Sequence, residues 1–163
     1  MNYFERIMKG RLFFSSDKLP EKVVKFIFMD KAYLLEEFHI GFTQEMDSRG
    51  RPGGLPTGGI INMTFADTPD YYINEWMLRE KLLRNGEIRF LSGDIKVTSG
   101  ADMVLFFEDA YCVEYKKHMD TLKGGLFTTL TISPRTVKIR NEEFTNKWKT
   151  DESHPFYIRS GKD

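Results

Sequence analysis

Cysteine occurs once in the 163 residues, as Cys112, so no internal disulfide can staple the fold. Net charge is absent as well. The 24 Lys and Arg balance 24 Asp and Glu, which leaves no basic field to recruit nucleic acid or an anionic membrane. Histidine is scarce: His39, His118 and His154 stand far apart, without metal-ligand spacing, and Cys112 has no partner ligand nearby. No run is long and apolar enough to span a bilayer as a helix. The opening MNYFERIMKGRLFF lacks the basic, apolar, small-residue order of a secretory signal peptide. The expectation is a chain that stays cytoplasmic on synthesis and is exported, if at all, by a route needing no such signal.

Chemistry of the usual kinds is missing too. The pairs Glu36-Glu37, Glu108-Asp109 and Glu142-Glu143 are adjacent residues, which point to opposite faces of a strand, so none forms an acid/base dyad. Cys112 has no announced base and reads as a packed or interface thiol. No cofactor, metal or catalytic residue is expected. Fourteen Phe are present instead, which suits a β-rich fold with sizeable subunit contacts.

The organising stretch is Phe38–Asp67. Phe38, Ile40, Phe42 and Met46 share one parity against His39, Thr43, Glu45 and Asp47, the period of a strand with one wet face. Gly50, Pro52, Gly53, Gly54, Pro56, Gly58 and Gly59 then interrupt any helix or ladder. A second strand places Ile61, Met63 and Phe65 opposite Asn62 and Thr64. The loop between them carries Arg49, Arg51 and Leu55, so it can reach another molecule or stand as a hairpin tip. It has neither GxGxxG nor GxxxxGK[ST] and no helix behind it, so phosphate binding fits poorly. One Arg/Gly loop in a neutral protein is also weak support for RNA binding.

Several features of the loop and its surroundings occur together in one known family. Gln44-Glu45-Met46-Asp47-Ser48-Arg49-Gly50-Arg51-Pro52, then Gly58-Gly59, resembles the tube protein of the type VI secretion system, the haemolysin-coregulated protein family, in its Bacteroidota-like branch. Glu75-Trp76-Met77, Gly86-Glu87-Ile88, Asp109 to Tyr115, Thr128 to Ser133 and Trp148 continue the same order of landmarks. The resemblance spans roughly Val23 to Trp148. It implies a hexameric ring, rings stacked into a hollow tube, tip and sheath proteins of a contractile system as partners, and effector proteins carried in the lumen. The loop residues Asp47, Arg49, Gly50, Arg51, Pro52, Gly53, Gly54 and Leu55 are the expected subunit or ring-stacking contact.

Along the chain, residues 1–20 form an extension beyond the family pattern, 21–148 a barrel domain, and 149–163 a polar tail. Val23–Met29 reads as a strand and Asp30-Lys31-Ala32 as a turn. Thr68-Pro69-Asp70 starts a helix, with Ile73, Trp76, Met77 and Leu83 on its buried stripe and Asn85-Gly86 as its stop. Glu87–Leu91 is a short strand, and Ser92–Gly100 a turn. Met103–His118 is a long strand with Phe107, Tyr111, Val113 and Tyr115 on one parity. Leu126, Thr128, Leu130 and Ile132 alternate with Phe127, Thr129, Thr131 and Ser133, and Pro134 ends that strand before a last one from Thr136. The fold expected is mainly β: a small antiparallel β-barrel with one flanking α-helix. The alternative to a tube subunit is a monomeric β-barrel that binds a ligand or carbohydrate.

Overall fold

A computed structural model describes residues 22–66, 71–92, 101, 103–122 and 124–148. The expected helix start at Thr68-Pro69-Asp70, most of the turn over 92–100, the N-terminal extension and the C-terminal tail lie outside the described residues. Seven strands and one helix are present among them: β1 (Lys22–Phe28), β2 (Lys31–Thr43), β3 (Thr57–Ala66), α1 (Tyr71–Leu78), β4 (Arg84–Ser92), β5 (Met103–Asp120), β6 (Gly125–Ile139) and β7 (Glu142–Thr145).

All pairings are antiparallel, in the order β3-β2-β1-β4-β5-β6-β7, and β3 also pairs with β6. That last contact closes six strands into a barrel and leaves β7 as an addition on β6. Closure removes most of the edges an open sheet would expose. The chain runs as two meanders, β1–β3 and β4–β7, joined through α1.

The barrel fills with aromatic rings. Phe26 is fully buried, and its ring lies 5.4 Å from Phe28, 5.6 Å from Tyr33 and 6.2 Å from Phe107. Ile61, Met63 and Phe65 enter this core from β3 and Leu130 and Ile132 from β6, as their alternation predicts. From α1 come Ile73 and Trp76. Trp76 stacks on Phe28 at 4.8 Å, and its indole N–H donates to the Ala110 carbonyl at 3.1 Å. Met77 is half-buried. The helix stops at Leu78, not at Asn85-Gly86, which instead belong to β4. Leu83 is therefore off the helix, while Leu82 packs against the core.

Other sequence expectations are corrected where an extra residue enters a strand. The first turn is the pair Met29-Asp30, both at positive φ (48° and 62°), with Lys31 already in β2; such a two-residue turn matches the twist of its strands. Glu36 bulges out of the β2–β3 ladder, so inward positions pass from Tyr33 and Leu35 to Phe38 and Ile40. Met46 lies beyond the strand and is 76% exposed. The single parity expected for β5 also fails. Its inward residues step from Leu105 and Phe107 to Ala110 and Cys112 across Asp109 (φ 50°), and to Tyr115 across the bulged Val113.

Pro134 does not end a strand. It is buried inside β6, opposite Ala110. On its other side β6 passes there from β3 (last pair at Ile132) to β7 (first pair at Thr136). The ladder is interrupted at that handover, so the missing N–H forfeits no bond. Thr136–Ile139 continues β6, and the last strand is Glu142–Thr145.

Candidate assembly surfaces

Three features of the surface share one piece of architecture, the sheet β2-β3-β6-β5. Its two outer strands are longer than the barrel requires. β2 pairs with β1 only through Lys31–Leu34, so from Glu37 to Thr43 it is hydrogen-bonded on the β3 side alone among the described residues. β5 pairs with β4 only as far as Ala110, so among the described residues the one strand laddered to Glu114–Asp120 is β6. Among the described residues the sheet thus ends in two unlike edges, neither with a further strand laddered to it.

Its solvent face is polar and ordered in rows. One row runs Glu37, Thr64, Thr129, Lys116 across the four strands; the next runs His39, Asn62, Thr131, Glu114. The hydroxyls of Thr64 and Thr129 are 3.0 Å apart, and the Thr131 hydroxyl sits 2.8 Å from Asn62 Oδ1 and 3.1 Å from Glu114 Oε2. Lys116 Nζ meets Glu114 at 2.7 Å, and this contact, with the Thr131 hydroxyl, holds the Glu114 carboxyl below its ordinary value. β-branched hydroxyl residues suit such a solvated pleat. The opposite face carries the core.

The Gly/Pro loop is a built arm, not a featureless tip. Asp47 organises it. Its Oδ1 accepts from the backbone N–H of Arg49 and Arg51, both at 2.9 Å, and Oδ2 meets the Arg51 guanidinium at 3.0 Å. Those two backbone donors, Arg51 first, hold its carboxyl below the ordinary value. Gly50 (φ 78°) makes the turn, Met46 bridges to Pro52, and Gly53 donates to the Glu45 carbonyl. Gln44 Nε2 closes the base on the Gly54 carbonyl. Met46 and Leu55 stand out, 76% and 68% exposed. At the other end of the sheet the β5–β6 hairpin exposes Met119 and Leu122.

Gly58-Gly59 sets how the arm leaves the barrel. At Gly58 (φ 132°) a Cβ would lie 2.3 Å from the Gly41 carbonyl oxygen, and Gly59 (φ 77°) is bulged from the ladder under the Phe144 ring. Only glycine fits the first of these positions.

The sequence landmarks therefore fall on the arm, its exit, α1 and the barrel strands, with Trp148 stacked on Tyr111 of β5. A profile of the family described as "Hemolysin coregulated protein Hcp (TssD)" matches residues 21–149. The chain belongs to that family. Hcp proteins are structural tube proteins and not enzymes. Hcp1 from Flavobacterium johnsoniae superimposes with a TM-score of 0.69 at 27% identity, over 76% of this chain and 99% of that one. It agrees with the Bacteroidota-like character of the sequence. In fold the chain is also similar to Hcp1 from Salmonella typhimurium (TM-score 0.55, 11% identity, 77% and 92% of the two chains). The same holds for secreted Hcp3 from Pseudomonas aeruginosa (TM-score 0.53, 10% identity, 78% and 99%). No curated protein sequence matches the chain closely enough to count as a relative.

Among the described residues no three His, Cys, Asp or Glu side chains gather as metal ligands would, and no helix is long and apolar enough to cross a membrane. Cys112 is half-buried, its Sγ–H directed at the Glu114 carbonyl at 3.5 Å; burial pushes its thiol up to about 11. The sequence did not reveal the two open edges, because an edge depends on what the neighbouring strand does.

Proposed function

We propose that this protein is the tube subunit of a type VI secretion system, acting by assembly: copies close into a hexameric ring and rings stack into a hollow tube. One observation carries the reading: the sheet β2-β3-β6-β5 ends in two different open edges. Joining one edge to the other on the next copy is a heterologous contact, and a heterologous contact that closes on itself yields a ring. It also gives each edge the neighbouring strand that it lacks among the described residues. The polar rows then face the lumen, where effector proteins are carried, and the barrel with α1 lies outside them, toward the sheath. Tip and sheath components of the contractile system are the other partners, nucleic acid and membrane insertion play no part, and export with the tube takes the protein out of the cell.

In this reading the arm bearing Asp47, Arg49, Gly50, Arg51, Pro52, Gly53, Gly54 and Leu55 reaches the adjoining subunit or the next ring. Its exposed Met46 and Leu55 stand at one end of the sheet, and Met119 and Leu122 at the other, as two stacking faces require.

Light scattering on a size-exclusion peak, with negative-stain images of that peak, tests the ring. Open-centred rings of hexamer mass are expected. A monomer at every concentration would overturn the reading and favour a ligand-binding barrel. Replacing residues 46–56 by a short Gly/Ser turn tests the arm: assembly should weaken while the barrel stays folded. Survival of both ring formation and stacking would remove the arm from the interface.

A further inference from the structure

The two polar rows end in opposite chemistry. The row through Thr64 and Thr129 starts with the acid Glu37 on the β2 edge and finishes with the base Lys116 on the β5 edge. The adjacent row starts with His39 and finishes with Glu114. Along each open edge, therefore, acid and base alternate, and the two edges alternate in opposite order.

A rotation about an axis along the strands keeps each strand's direction. β2 and β5 run oppositely within the sheet, so the β2 edge of one copy meets the β5 edge of the next antiparallel. Resting on the ring reading above, we infer that Glu37 and His39 of one copy face Lys116 and Glu114 of the next, and that this alternation fixes the register in which copies join. With the rows level, a carboxylate meets an ammonium and an imidazole meets a carboxylate. A slip of two residues one way sets Glu37 against Glu114; the other way it sets His39 against Lys116. The first wrong register sets two carboxylates together, and the second pairs two bases and forfeits the Glu37–Lys116 ion pair, so each is disfavoured. A slip of one residue turns the side chains to opposite faces.

The groups are already placed for this. Lys116 and Glu114 hold each other at 2.7 Å, and Glu114 is anchored further by the Thr131 hydroxyl. Glu37 and His39 are exposed, with no ion pair or side-chain hydrogen bond among the described residues. An edge whose ion pair is already made thus meets an edge whose carboxylate and imidazole have no side-chain partner among the described residues. Backbone pairing alone would accept any even slip, so the side chains supply the selection.

Charge reversal tests the inference. Glu37→Lys and Lys116→Glu, each checked for native circular dichroism, should raise the protein concentration needed for half-assembly by about tenfold or more at low salt. The double variant should recover most of that loss, since it restores an opposite pair with its polarity inverted. If wild type forms rings and the single variants assemble equally well, or the double variant shows no recovery, the register inference falls while the ring reading stands. If wild type never assembles, the ring reading falls and the inference with it. Cross-linking gives an independent check in a Cys112→Ser background. Glu37→Cys with Lys116→Cys should oxidise into covalent oligomers at least about tenfold faster than Glu37→Cys with Glu114→Cys. Equal rates would overturn the proposed register.

Discussion

Trp76 lies nearly parallel to Phe28, with ring centroids 4.8 Å apart and an interplanar angle of 15°, and fixes the helix to the barrel. Its second neighbour, Phe107, is stacked at 6.2 Å. One side chain thus ties α1 to both β1 and β5, across the connection between the two meanders. Replacement by alanine should destabilise the fold by about 3–5 kcal/mol. Trp76→Phe keeps most of the stack and loses the indole bond to Ala110, at about 1 kcal/mol. Urea unfolding of the two variants separates the contributions.

Gly58→Ala should be far more costly than Gly50→Ala, although both positions have positive φ. At Gly50 a Cβ meets open space, so backbone strain of about 1 kcal/mol is the expected cost. At Gly58 it meets the Gly41 carbonyl oxygen, and β2 or β3 must shift. A loss of about 2 kcal/mol or more is expected. Thermal melts of the two proteins, compared side by side, check the order.

Asp47 makes the arm sensitive to acid. Its folded value is depressed by the Arg51 and Arg49 amides, so its stabilising contribution is complete above the ordinary 3.8 and is lost as pH falls through the lower folded value. The Arg49 and Arg51 amide resonances should therefore hold steady from neutral pH down to the ordinary carboxylate range and move only below it. In Asp47→Ala they should sit at loop-like positions at every pH. Wild-type amides that shift well above the ordinary carboxylate value would contradict the assignment.

The Cys112 thiol, pushed up to about 11 by burial, should be nearly inert at neutral pH. Alkylation at pH 8 is expected to run about a hundredfold slower than for a free cysteine, in proportion to its thiolate fraction. Denaturation should restore the ordinary rate. An intact protein that alkylates at the free rate would place the sulfur in a different setting.

The alternation of β3 from Ile61 onward and of the first half of β6 was legible because no extra residue enters those stretches. Trp76 was legible as a buried helical residue for the same local reason. The parity of β2 and β5 was not, because Glu36, Asp109 and Val113 each change the inward face and nothing in their side chains announces it. Pro134 misled for a related reason: whether a proline breaks a ladder depends on the strand beside it. The Gly/Pro arm was visible as a segment, but its Asp47-centred turn needed the backbone. The polar rows were the least accessible, since residues 37, 64, 129 and 116 meet only once four strands are aligned.

The length of β5 and β6 has a mechanical consequence. They stay hydrogen-bonded from Leu105–Ile139 to Asp120–Gly125, through the core barrel and on to the exposed hairpin. A push or pull applied at that hairpin along the strands moves β5 and β6 together and loads the flanking β3–β6 and β4–β5 ladders in shear, so many bonds bear it together. The weaker geometry, in which a ladder peels open one bond at a time from its end, is not the one an axial force selects. Thrust delivered along the sheet is transmitted by the covalent backbone itself and does not depend on the packing of any single side chain.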